Sequence, residues 1–323
     1  MRGRENIFLS INVHQISHKG DDVVPYNEFI CPDGNKVKIS DCLKGCRLDG
    51  VSDQFGNPYC PAGRCMTKQA LRQIAEQREW KGKPSTTQLL NGTRENYLKI
   101  KYNYAIKPKD SVFMLFGTSV HNNLEGYTDE EAGELAELRL EDDYSTGAFD
   151  FYSPENGGTL YDLKTYGSYK AAGVLGLEEV KIPTGQYYKN GNPKYRKIFK
   201  PGGVKHRLDL AIQLNDYRMK IESNLGLPVS NMACQMTVRD GNTYMATQRG
   251  VTEPSYLVPI NRISDTWIRK YMKTKSERLT TALATDILPP PCSYRERWGG
   301  RKCENFCSVN HLCDFYLKQG GSK

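Results

Sequence analysis

The stretch "LYDLKTYGSYK", Leu160 to Lys170, decides how the rest of the chain is read. Its first residues alternate as a strand does, and alternation places residues i and i+2 on one face. Asp162 and Lys164 therefore point the same way. A bare acid-x-base pair on a strand is most often a solvated ion pair, so its neighbours decide its meaning.

Working outward, "STGAFDFYS" (145–153) and "GGTLYDLKT" (157–165) read as two strands joined through "PENGG", a hairpin signal. Asp150 ends the first strand and Asp162 lies on the second, and neighbouring strands run ~4.8 Å apart. Two carboxylates so placed can share a hard divalent cation, and magnesium takes oxygen ligands while keeping several waters. Such an ion polarises a phosphodiester and lowers the pKa of an attacking water. Lys164 could orient that water, take its proton or offset charge in the transition state.

Further out, "GTSVH" puts His121 at the start of a helix, and "QLNDY" puts Gln213 and Tyr217 on one face of an amphipathic helix. The ordered series His121, Asp150, Asp162, Lys164, Gln213, Tyr217 resembles the RecB-like branch of the PD-(D/E)XK nuclease superfamily. That branch includes the AddB nuclease domains and the CRISPR-associated exonucleases that carry an iron–sulfur cluster. The resemblance spans residues 84–313. It implies that His121, Asp150, Asp162 and the backbone carbonyl of Leu163 hold magnesium or manganese, and that Lys164 is the catalytic lysine. Gln213 and Tyr217 would order the site and the DNA. Glu125, one turn after His121, is a candidate for support through water.

Lys and Arg number 45 against 37 Asp and Glu, a net charge of +8 that suits a polyanionic partner without requiring one. The opening "MRGRENIFLSINVHQISHKG" has no apolar signal-peptide core, and no stretch approaches a membrane span. The expected location is cytoplasmic.

Ten cysteines in a reducing compartment point to metal or cluster ligation rather than disulfides. Cys234, in "NMACQMTV", reads as core packing on a buried strand. The other nine form two groups, which share the spacings Cys31-x10-Cys42-x3-Cys46 and Cys292-x10-Cys303-x3-Cys307. In the resembling nucleases three C-terminal cysteines and one far upstream hold a 4Fe–4S cluster. Cys303, Cys307 and Cys313 match the trio, but Gly92 or Thr93 stands where the upstream cysteine is expected. Cys292 is one replacement and Cys65 another. Zinc accepts four thiolates as readily as a cluster does. In the N-terminal group, Cys31, Cys42, Cys46 and Cys65 are read as zinc ligands, with Cys60 spare.

The remaining elements follow from pattern. "MTKQALRQIAEQREW" reads as a helix that "KGKP" breaks, and "STTQLLNGTRENYLKI" as a second helix opened by Ser and Thr. "TDEEAGELAELRL" and "SYKAAGVLG" read as helices. "KIPTGQYYKNGNPKYRKIFKPGGVKHR" reads as a basic, tyrosine-rich loop suited to single-stranded nucleic acid. "MACQMTVRDGNTYMATQRG" reads as a hairpin around Asp240-Gly241.

The expected fold is α/β: a restriction-endonuclease-like core with a mixed sheet flanked by helices, plus cysteine-rich metal or cluster modules at both ends. The expected divisions are residues 1–80, 81–286 and 287–323. The expected function is metal-dependent DNA hydrolysis, as an exonuclease on DNA ends or single strands. The alternatives are a non-catalytic nucleic-acid-binding module stabilised by zinc or iron–sulfur sites, and a subunit active only within a recombination or CRISPR-adaptation-type complex.

Overall fold

The computed structural model describes residues 26–77, 79–202 and 207–321. The chain enters through β1 (Tyr26–Ile30), β2 (Lys36–Lys38) and α1 (Ile39–Lys44), then runs through turns to α2 (Lys68–Ala75). Thr67 caps α2 by accepting the Ala70 N–H, and Leu71 and Ile74 are buried beneath it. Residues 84–101 form two helices rather than one. The first is α3 (Thr86–Leu89), with a capping box between Ser85 and Gln88, and the second is α4 (Thr93–Lys101), with Gly92 at its N-cap. Next come β3 (Tyr104–Ile106), which pairs parallel with β1, and α5 (Val112–Glu125).

The acidic run after α5 is turns and strands, not the expected helix: β4 (Leu135–Ala136), then β5 (Arg139–Glu141) and β6 (Thr146–Ala148). Asp129 and Glu134 spend their carboxylates on the backbone N–H groups of Ala132 and Asp129, which competes with helix formation. Gly133 and Glu137 then turn the chain at positive φ. β7 (Phe151–Ser153) and β8 (Thr159–Tyr166) form the expected hairpin. Its turn requires Gly158, at φ +88° with a side-chain position only 1.8 Å from the Pro228 carbonyl oxygen.

After α6 (Ser168–Val174), the expected basic loop is instead a long antiparallel hairpin, β9 (Leu177–Tyr187) with β10 (Pro193–Pro201). Asn190-Gly191 is a strong hairpin dipeptide that the basic composition obscured. The end of that stretch, residues 203–206, lies outside the described residues. α7 (Leu208–Asn224) then leads to β11 (Asn231–Val238), α8 (Tyr244–Gln248) and β12 (Ser255–Pro259). The expected hairpin around Asp240-Gly241 does not form: its second half is the helix α8, capped by Thr243, and β11 pairs antiparallel with β12 farther along the chain. The chain closes with α9 (Asp265–Thr285), α10 (Arg301–Asn305) and α11 (Asp314–Lys318).

The central sheet has the order β12-β11-β8-β7-β4. Only β11 and β8 run parallel, through a crossover that contains α6 and α7; the sheet is therefore mixed and the fold α/β. Leu160, Leu214, Ile221, Cys234 and Met236 form the heart of the core, each 0% exposed. Burying a side chain of this size contributes about 1.5–3 kcal/mol.

α7 is not the amphipathic surface helix that its sequence suggests. Its polar residues are buried too: Asp216 and Lys220 pair with each other and with Thr86 and Ser145, and Arg218 with Glu222 and Asp265. Sheet, α3 and α9 cover the helix on several sides, so its charges survive burial by pairing internally.

Candidate active site

β8 brings Asp162 and Lys164 to one face, and the pair is not a solvated one. Asp162 is 1% exposed, and its Oδ1 accepts hydrogen bonds from Lys164 Nζ at 2.6 Å and Gln213 Nε2 at 3.0 Å. Among the described residues its Oδ2 is buried with no hydrogen-bond partner, which is the condition of an oxygen suited to a cation. Asp150 lies just before β7, not at the end of a hairpin strand, because β6 and β7 are separate short strands. Its Oδ2 accepts the Leu163 N–H at 2.6 Å, which pins it opposite the β8 pair.

His121 lies in the second half of α5, not at the helix start, because the apolar run before it already belongs to the helix. Its Nε2 faces the Leu163 carbonyl at 2.9 Å. A carbonyl can only accept, so Nε2 carries a proton. Nδ1 faces Glu137 Oε1 at 3.2 Å and Asp150 Oδ1 at 3.7 Å. The hydrogen bond to Glu137, with the Asp150 charge behind it, raises the His121 pKa against the opposing effect of burial. With Leu163 fixing one nitrogen, the other is left toward the carboxylates.

Glu137 is the residue that the sequence reading missed. Donor atoms of His121, Glu137 and Asp150 all lie within 4.8 Å of one another, a cluster able to hold a metal ion. Glu137 takes the supporting place proposed for Glu125, which sits exposed at the end of α5. Its backbone at φ +49° and its N–H bond to the Asp150 carbonyl place it there, and neither shows in a helical reading of "GELAELRL".

Burial and then the Asp162 charge push the Asp150 pKa up to about 6, against Lys164 and His121. Burial acts to lower the Lys164 pKa, but Asp162 and Asp150 outweigh it, so the lysine is held as an ammonium. Of the three roles open to it, taking a proton from water is the one this environment disfavours. Burial, then Asp162 and Asp150, raise the Tyr217 pKa, which keeps the phenol neutral. The Tyr217 ring fits because residue 147 is glycine; a side chain there would meet the ring at 2.5 Å.

The C-terminal cysteines come together from different elements. Cys292, Cys303, Cys307 and Cys313 line one cavity with Arg94, Arg297 and Lys302. A side chain on residue 92 would place its first carbon 2.2 Å from the Cys292 sulfur. Cys292 therefore fills, from another part of the chain, the place where an upstream cysteine was expected. Cys65 is in the N-terminal group, where Cys42 and Cys46 neighbour its sulfur. Four thiols around one space, with cations to offset thiolate charge, fit a four-thiolate centre.

No protein-family model and no curated protein matches the chain. Among solved structures, the crystal structure of SSO0001 is similar at 11% identity and a TM-score of 0.40, over 76% of this chain and 93% of that one. A "Putative exonuclease" from Eubacterium rectale is similar at 11% identity and a TM-score of 0.30, over 80% of this chain and 83% of that one. At those values neither likeness assigns a family or an activity. Among the described residues, no helix is long and apolar enough to cross a membrane.

Proposed function

We propose that the chain is a metal-dependent DNA nuclease of the PD-(D/E)XK type, with a restriction-endonuclease-like core, acting as an exonuclease on DNA ends or single strands. The observation that carries this reading is the buried, unpartnered Asp162 Oδ2 beside a charged Lys164, with His121, Glu137 and Asp150 converging on the same backbone segment. His121, Glu137, Asp150, Asp162 and the Leu163 carbonyl would hold magnesium or manganese. Such an ion, when bound, supplies Lewis acidity and an acidified water.

The chain's own residues do the rest. Gln213 and Lys164 fix the rotamer of Asp162 through its Oδ1 and leave Oδ2 free to ligate. Lys164, held as a cation, offsets negative charge that develops on the phosphoryl oxygens. The Leu163 N–H holds Asp150 from behind. Cys292, Cys303, Cys307 and Cys313 would hold a 4Fe–4S cluster or zinc, which would anchor the chain's C-terminal segment onto α4. The β9–β10 hairpin would carry the strand: Tyr187, Tyr188 and Tyr195 are exposed among Lys189, Lys194, Arg196 and Lys197, rings for bases and cations for phosphates.

The test is DNA cleavage with magnesium or manganese by the wild type, Asp162→Ala and Lys164→Ala. Cleavage should vanish in both variants. Activity unchanged in both would reject the assignment.

A further inference from the structure

The N-terminal cysteines fall on a repeated piece of backbone. Cys31-Pro32-Asp33-Gly34 and Cys60-Pro61-Ala62-Gly63 each close a turn in which the glycine N–H donates to the cysteine carbonyl, at 2.9 Å in both. Both glycines have positive φ, +84° and +73°. Between them in the chain, Cys46 opens the second of three such turns, with the Asp49 N–H on its carbonyl at 3.3 Å, so that the Cys60 turn is the third.

The three turns are also clamped together. Arg47, in the second turn, pairs with Asp33 in the first. Gly63, in the third, lies against Asp49 in the second, where a side chain would meet its carboxylate at 3.2 Å. The result is a Cys46–Cys60 sulfur separation of 4.0 Å. Thiolates on one tetrahedral zinc stand ~3.8 Å apart, from a Zn–S bond of ~2.3 Å. A four-iron cube would hold its thiolates considerably farther apart.

No disulfide is present in this group. No third sulfur stands within 4.8 Å of both members of the pair. Cys31 and Cys65 are the near neighbours, and closing on an ion requires side-chain rotation over turns already formed. Cys42 and Cys60 are both buried and both neighbour other sulfurs of the group, but they differ in place: Cys42 lies on α1, packed with Phe29, Leu71 and Ile74, whereas Cys60 heads a turn with its sulfur against Cys46.

We propose that Cys31, Cys46, Cys60 and Cys65 bind one tetrahedral divalent ion of the zinc class, and that Cys42 is a core thiol. This exchanges Cys60 for Cys42 in the ligand set expected from spacing alone. The ion has a mechanical task. The segment it closes has a small apolar core, and Leu115 of α5 packs against that core. The ion therefore braces the seat of the helix that carries His121. The proposal does not depend on the nuclease reading.

The experiment is metal analysis of the full chain purified under reducing conditions, beside Cys60→Ser and Cys42→Ala. Cys60→Ser should hold one metal equivalent per chain fewer than wild type, and Cys42→Ala should hold the wild-type amount. Wild-type metal content in Cys60→Ser overturns the proposal, as does a Cys46–Cys60 disulfide in the wild type. Should Cys60→Ser not fold, peptide-resolved alkylation of the wild type decides. Cys31, Cys46, Cys60 and Cys65 should be protected together and become reactive together on adding a chelator. Labelling of these four that ignores the chelator overturns the proposal.

Discussion

Whether Asp162 and Lys164 are a surface ion pair or a buried, coupled one has a thermodynamic answer. Their side chains are 1% and 22% exposed, with Nζ and Oδ1 2.6 Å apart. An exposed pair contributes ~0–1 kcal/mol, whereas removing one partner of a buried pair costs about 3–5 kcal/mol. In Lys164→Met, Asp162 and Asp150 lose the cation they share, since Lys164 Nζ also lies 3.7 Å from Asp150 Oδ2. That variant should lose about 3 kcal/mol, near the lower end of that range because the site is not fully dry. Asp162→Asn keeps an acceptor for Lys164 but not the charge, and should lose ~1–2 kcal/mol. In the double variant Asp162 no longer carries a charge that the lost lysine leaves unpaired, so the loss should fall short of the sum by ~2 kcal/mol. The assay is urea unfolding of the four proteins without added divalent cation, with unchanged m values as the condition for comparison. A coupling energy below ~0.5 kcal/mol would refute the reasoning, because independent sites add to within that margin.

Three further outcomes follow from the same geometry. Asp150, with its pKa raised to about 6, favours folding most when protonated, so that contribution is present below ~4 and lost as pH rises through about 6. Metal binding runs the other way because it needs the carboxylate and an unprotonated His121 nitrogen, so the Tm gain from added manganese should be larger at pH 7.5 than at pH 5; a gain independent of pH would count against the site. Glu137→Gln should weaken manganese binding ~10-fold or more by calorimetry, with under ~1 kcal/mol of lost stability since the side chain is a third exposed. Gly92→Ala forces a methyl into the Cys292 sulfur, so it should cost about 1–3 kcal/mol by overpacking and lower the iron or zinc content of the purified protein.

Much of the fold and of the site could be read locally. The β7–β8 hairpin, α2 and α6 follow from periodicity and turn residues, because a segment's own apolar spacing and breakers decide such elements. The ordered series from His121 to Tyr217 is legible because its members are marked by residue type and sequence order. What could not be read is how distant segments meet. Glu137 joins the site through a backbone turn that its acidic surroundings disguised as a helix. The buried charges of α7 look like a solvated face until α3, α9 and the sheet close over them. Cys292 meets Gly92 across two hundred residues, and Cys60 meets Cys46 only through clamped turns. The sequence by itself thus determined which chemical groups are present and which short segments they ride on. Tertiary structure decided which of them share a site, because a carboxylate's pKa, a thiol's partners and a helix's buried face are properties of the neighbours that folding brings, and composition holds no record of them.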